Sequence, residues 1–82
     1  MDIDFRNPVV CGVLIRLSFG SDSLCGLYRY LNAHKVEVGY LDLMPILSAM
    51  EAEGLIIPVG LVGMAVTDAG LKASKQYAGE EK

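Results

Sequence analysis

The apolar positions of this chain change period along its length, and the changes mark its elements. Val9, Val10, Val13, Leu14 and Leu17 recur at steps that place them on one face of a helix beginning at Pro8. Asn7 supplies a cap, and Pro8 a first turn whose φ is already set. The same stretch is rich in valine and contains Gly12, so a strand is the competing reading there. After Gly20, Ser21 or Asp22 can cap a second helix in which Leu24, Leu27, Tyr28 and Leu31 repeat at helical spacing, ending between Asn32 and His34. Lys35 to Gly39 alternates polar and apolar residues, which suits a small strand or an extended link.

Asp42 is expected to cap a third helix from Leu43 to Glu53, with Pro45 in its first turn and Leu43, Ile46, Leu47 and Met50 as its core stripe. Gly54 stands where that pattern stops. Leu55, Ile56 and Ile57 open a strand, Gly60 to Gly63 supplies a turn, and Met64, Ala65 and Val66 return, so residues 55–66 read as a hairpin with an apolar tip. Thr67 caps a last helix from Asp68 to about Tyr77, which leaves residues 78–82 as a frayed tail. This order predicts an α+β fold: a small winged helix-turn-helix with a three-helix core, a two-stranded β-hairpin wing and a C-terminal helix, as a single domain over residues 1–82.

Composition sharpens the picture in one respect. A chain of 82 residues buries only about 60–65% of its unfolded surface, yet 52% of its residues are hydrophobic and its mean hydropathy is +0.40. The surplus has to be tightly packed or covered by another molecule, so a homodimer or a protein partner is expected. Val59, Leu61, Val62 and Met64 lie in or beside the hairpin, and alternation sends only part of this set inward; the rest is a candidate wing or partner interface. The uncharged runs Leu43 to Met50 and Gly54 to Thr67 are too short for a membrane span, and MDIDFRNP lacks the pattern of a signal peptide. A cytoplasmic setting without membrane attachment is expected, with Cys11 and Cys25 as free buried thiols.

At this point the residues resemble a family. In MarR- and PadR-type winged-helix regulators the third helix closes on L-E-x-x-G-L-I and the hairpin leads into L-T-x-x-G. The corresponding residues here are Met50-Glu51-Ala52-Glu53-Gly54-Leu55-Ile56 and Val66-Thr67-Asp68-Ala69-Gly70, and GVLIRLSFGSDSLCGLYRYL is similar to that group's first two helices. The resemblance implies a DNA-binding transcriptional regulator whose third helix enters the major groove of double-stranded DNA. Tyr40, Met44, Pro45, Ser48 and Glu51 would then face the groove, with Gly60 to Gly63 at the wing tip.

Charge departs from that pattern. From Val36 through Leu71 there is no lysine, arginine or histidine, while Glu37, Asp42, Glu51, Glu53 and Asp68 fall inside the interval. The net charge of −3 argues against a non-specific polyanion binder, whose affinity comes from neutralised phosphates. Phosphate contacts would fall to Arg29, His34 and Lys35 near the end of the second helix, where cations also offset the helix dipole. Lys72 and Lys75 read as a solvated face of the last helix. One histidine and two distant cysteines match no metal spacing, and no phosphate-cradling glycine motif is present, so neither an enzyme, a metal nor a cofactor is expected. Two functions are therefore carried forward: a DNA-binding regulator, and a winged-helix protein-interaction module with an apolar wing and no direct DNA contact.

Overall fold

A computed structural model describes the backbone of residues 7–80 and the side chains of residues 7–75. The reading of MDIDFR as no signal sequence lies outside the described residues, as do residues 81 and 82 of the expected tail. The elements run α1 (Pro8–Ser18), β1 (Asp22–Ser23), α2 (Leu24–Ala33), α3 (Tyr40–Ala52), β2 (Ile56–Val59), β3 (Gly63–Val66) and α4 (Asp68–Glu80). Three core helices, an antiparallel hairpin and a further C-terminal helix make the α+β winged-helix shape that the pattern predicts.

In α1 the helical reading prevails over the strand. Asn7 Oδ1 accepts from the Val9 N–H at 2.9 Å, Pro8 sits in the first turn, and Val9, Val10, Val13, Leu14 and Leu17 are all buried. This helix is central, touching α2, α3, α4 and β3. Gly12 allows the approach of α2: a Cβ there would stand 2.5 Å from Leu31 Cδ2. Leu27, Leu31, Leu43, Leu47, Met50, Leu55 and Ile56 complete the core, and each such burial contributes about 1.5–3 kcal/mol.

The start of α2 and the number of strands differ from expectation. The cap of α2 is Ser23, whose hydroxyl accepts from the Gly26 N–H at 3.1 Å. Asp22 instead joins Ser23 in the two-residue strand β1, which pairs with β3 and extends the hairpin to three strands in the order β1-β3-β2. Residues 36–39 form the extended link, with Val36 and Val38 half-buried against the core.

The third helix starts at Tyr40 rather than Leu43, because the N–H groups of Asp42 and Leu43 both donate to the Gly39 carbonyl, at 3.1 and 3.0 Å. Gly39 is therefore the cap position, and Asp42 lies in the first turn, where its carboxylate favours the helix dipole. Pro45 consequently falls in the helix interior instead of the first turn. α4 continues to Glu80, three residues beyond the expected end. Finally, Cys11 and Cys25 form no disulfide, but Cys25 is exposed and Cys11 only half-buried, contrary to the expectation that both thiols are buried.

The hairpin pairs Ile56 with Val66, Ile57 with Ala65, Pro58 with Met64 and Val59 with Gly63. Strand alternation puts Ile56, Pro58, Met64 and Val66 on one face, toward the helices, and Ile57, Val59 and Ala65 on the other. Pro58, which has no N–H to give a ladder, is accommodated because β2 is an edge strand.

Candidate functional site

The helix–hairpin junction opens into a groove of about 510 Å³. One wall is the face of α3 formed at steps of three and four by Tyr40, Met44, Leu47, Ser48 and Glu51. The facing wall is the inner side of the hairpin, Ile56, Pro58 and Met64, continued by Leu61, Val62 and Gly63 of the turn. Ser23, Leu24 and Cys25 close one end, at the start of α2. Tyr40 is held at the rim by an edge-on contact with Tyr28, ring centroids 5.4 Å apart.

The groove is apolar because α3 is apolar on more than one side. Leu43, Leu47 and Met50 face the core, while Tyr40, Leu41 and Met44 turn outward and remain exposed. An ordinary surface helix carries charge on its outer face; a helix apolar all round is normally covered. The turn is equally bare: Leu61 is 103% exposed and Val62 72%. Of the nine large apolar side chains exposed among the described residues, three belong to α3 and four to the hairpin. Among the described residues Glu51 is the one charged residue lining the groove, and no cation lines it.

The structure thus brings together Tyr40, Met44 and Ser48 with Leu61, Val62 and Met64. Pro45 is exposed on α3 but turned away from this lining, and Val59 is exposed on the outer face of the hairpin. Met64 is half-buried and packed on the core, so only part of it is offered to the surface. Arg29, His34 and Lys35 are exposed but are not brought to the groove. His34 and Lys35 lie at the opposite end of α2, His34 about 13 Å along the axis from Cys25, whereas Arg29 stands mid-helix, one turn beyond Cys25. The His34 ring instead leans on Tyr30, with centroids 4.2 Å apart. Arg16, closer to the hairpin, is committed: Nη2 is 3.1 Å from Asp22 Oδ2, and Nη1 donates to the Gly20 carbonyl at 3.4 Å.

Sequence reasoning missed the end wall at Ser23, Leu24 and Cys25, treated Leu47 as core alone and read Ile56 only as part of a strand. Nothing local marks β1 as a strand, so its approach to the hairpin carried no signal. Among the described residues no group of three or more His, Cys, Asp or Glu could hold a metal ion, and no helix is long and apolar enough to cross a membrane. Comparison of the chain with protein-family models, with curated proteins and with solved structures finds no significant match in any of the three.

Proposed function

We propose that this winged-helix chain is a protein-interaction module that docks a protein through the face shared by α3 and the hairpin. The observation that carries this reading is the exposure of Tyr40, Met44, Leu61 and Val62 around a groove that no cation lines among the described residues. Duplex DNA presents a polyanionic surface, and proteins that read it take much of their affinity from cations set against phosphates. A face made of Met44, Leu61 and Val62 with Glu51 offers phosphate no cation among the described residues, only the hydroxyls of Ser23, Tyr40 and Ser48. It suits an apolar surface instead, where burial recovers about 25 cal/mol for each Å² removed from water.

The second reading, a DNA-binding transcriptional regulator, draws support from the exposure of Tyr40, Met44, Pro45 and Ser48 on the third helix beside a wing. The likeness of the Gly54-Leu55-Ile56 and Val66-Thr67-Asp68-Ala69-Gly70 stretches to MarR- and PadR-type regulators supports it as well. In that case Arg29, His34 and Lys35 carry the phosphate contacts. Site-specific photo-crosslinking from position 44 in cells, followed by mass spectrometry, separates the two. Crosslinks to protein support the docking module, whereas crosslinks confined to DNA overturn it.

A further inference from the structure

We infer that the groove takes a protein segment that sets a lysine or arginine against Glu51 and apolar side chains into the recess beside it. This rests on the reading of the α3–hairpin face as a protein-docking surface and names the chemistry of its partner. Glu51 lies at one end of the α3 wall, two turns and about 10 Å beyond Met44 on the same face. The recess itself is lined by Met44, Leu47 and Met64, with Leu61 and Val62 on the turn beside it. Among the described residues the Glu51 carboxylate has neither an ion pair nor a side-chain hydrogen bond.

Charge complementarity selects this occupant. Glu51 is exposed to solvent in the free chain, and an occupant that fills the groove takes that solvent away. A carboxylate covered by apolar groups alone is strongly disfavoured. The groove cannot supply the counter-charge, because α3, β2 and β3 contain no lysine, arginine or histidine. The occupant therefore has to bring it. Glu37, Asp42, Glu53 and Asp68 do not line the groove, yet with no cation from Val36 through Leu71 they add to the negative field that draws a basic segment in. A second copy of this chain does not offer the pairing. Its wing tip, Val59 to Gly63, is uncharged, and among the described residues none of the exposed Arg29, Lys35, Lys72 and Lys75 stands next in sequence to an exposed large apolar side chain. Arg16 follows the exposed Ile15 but is held by Asp22.

The test is selection of a display library of random peptides on the immobilised full chain at physiological ionic strength, repeated on Glu51→Lys. Peptides retained by the wild-type chain are expected to carry lysine or arginine beside apolar residues, and those retained by Glu51→Lys to carry aspartate or glutamate there instead. A synthetic peptide from the first selection should lose affinity on the order of tenfold or more on Glu51→Lys, and less on Glu51→Gln. Met44→Gln should weaken it as well, and added salt should weaken the wild-type complex more than the Glu51→Gln complex. Both positions are exposed, and circular dichroism verifies that each variant is folded. Peptides of the same charge from both selections, still weakened by Met44→Gln, overturn the basic partner and leave the docking surface standing. Peptides indifferent to Met44→Gln overturn it by placing the contact elsewhere, and a wild-type selection that enriches nothing overturns it outright. A dimer in sedimentation equilibrium that Met44→Gln dissociates overturns it in favour of a second copy. Retention of mixed-sequence duplex DNA by the same immobilised chain, lost in Met44→Gln, overturns the docking reading beneath it.

Discussion

The backbone N–H of Val36 donates to the carbonyl of Leu31 at 2.8 Å, closing α2 with the same bond by which Leu55 closes α3 on Met50 at 3.0 Å. In each case the preceding residue bonds back as well, Lys35 to Asn32 at 3.2 Å and Gly54 to Glu51 at 3.0 Å. Both helices therefore end in the motif that needs a left-handed residue at its bend. Gly54 fills it at φ +75°, but α2 uses Lys35 at φ +63°. A side chain in that region costs on the order of 1–2 kcal/mol, part of which a glycine returns through its freer unfolded chain. Lys35→Gly is expected to stabilise the protein by about 0.5–1 kcal/mol, read as a higher urea midpoint with an unchanged slope. A lower midpoint would mean that the lysine side chain contributes more than its backbone costs.

Thr67 ties the end of α3 to the start of α4. Its hydroxyl lies 2.6 Å from the Gly54 carbonyl and 3.0 Å from that of Leu55, and it accepts from the Gly70 N–H at 3.1 Å. Thr67→Val keeps the shape and removes both functions, so a loss of about 1–2 kcal/mol is expected. Thr67→Ser should retain most of the wild-type stability. Thermal unfolding of the two variants side by side checks this, and a loss in Thr67→Ser with none in Thr67→Val would show that the methyl group, not the hydroxyl, is what matters.

Pro45 lies inside α3, where it has no N–H for the Leu41 carbonyl. It is exposed, so alanine can replace it without opening a cavity. Pro45→Ala is expected to raise stability by on the order of 1 kcal/mol or more, the helical gain exceeding the entropy that proline removes from the unfolded chain. Thermal unfolding at low protein concentration measures this. A lower transition temperature would contradict it.

DNA binding gives the most direct measure of the proposed function. Fluorescence anisotropy with mixed-sequence duplex at low salt is expected to detect no binding by the wild-type chain, and neither Arg29→Ala nor Lys35→Glu should alter that. Binding that Lys35→Glu weakens equally across all sequences would assign these cations to phosphates and restore the regulator reading.

The outline of the fold was legible because period and punctuation survive in a linear chain. Val9, Val10, Val13, Leu14 and Leu17 announce the buried face of α1, Gly54 the end of α3, and Thr67 the start of α4. The missed strand and the displaced start of α3 share a cause. Asp22 and Ser23 are extended because β3 lies beside them, and Tyr40 to Asp42 are helical because Gly39 offers the first carbonyl three residues earlier than the polar cap would suggest. The candidate site was half legible: Tyr40, Met44 and Ser48 follow from helical spacing and Leu61 and Val62 from the bare turn, but the end wall from α2 does not.

What the sequence determined by itself is the set of elements, the apolar surplus, and the absence of cations between Val36 and Leu71, since each follows from residue type and spacing alone. Only the tertiary structure decided where the surplus goes. Packing of α1 against α2, α3 and α4 consumes one face of each pattern, and Tyr40, Met44, Leu61 and Val62, left apolar and exposed on α3 and the turn, border one groove. His34 and Lys35 are left at the far end of α2, because a helix carries residues nine positions apart to opposite ends whatever their charge, and Arg29, one turn beyond Cys25, does not line the groove.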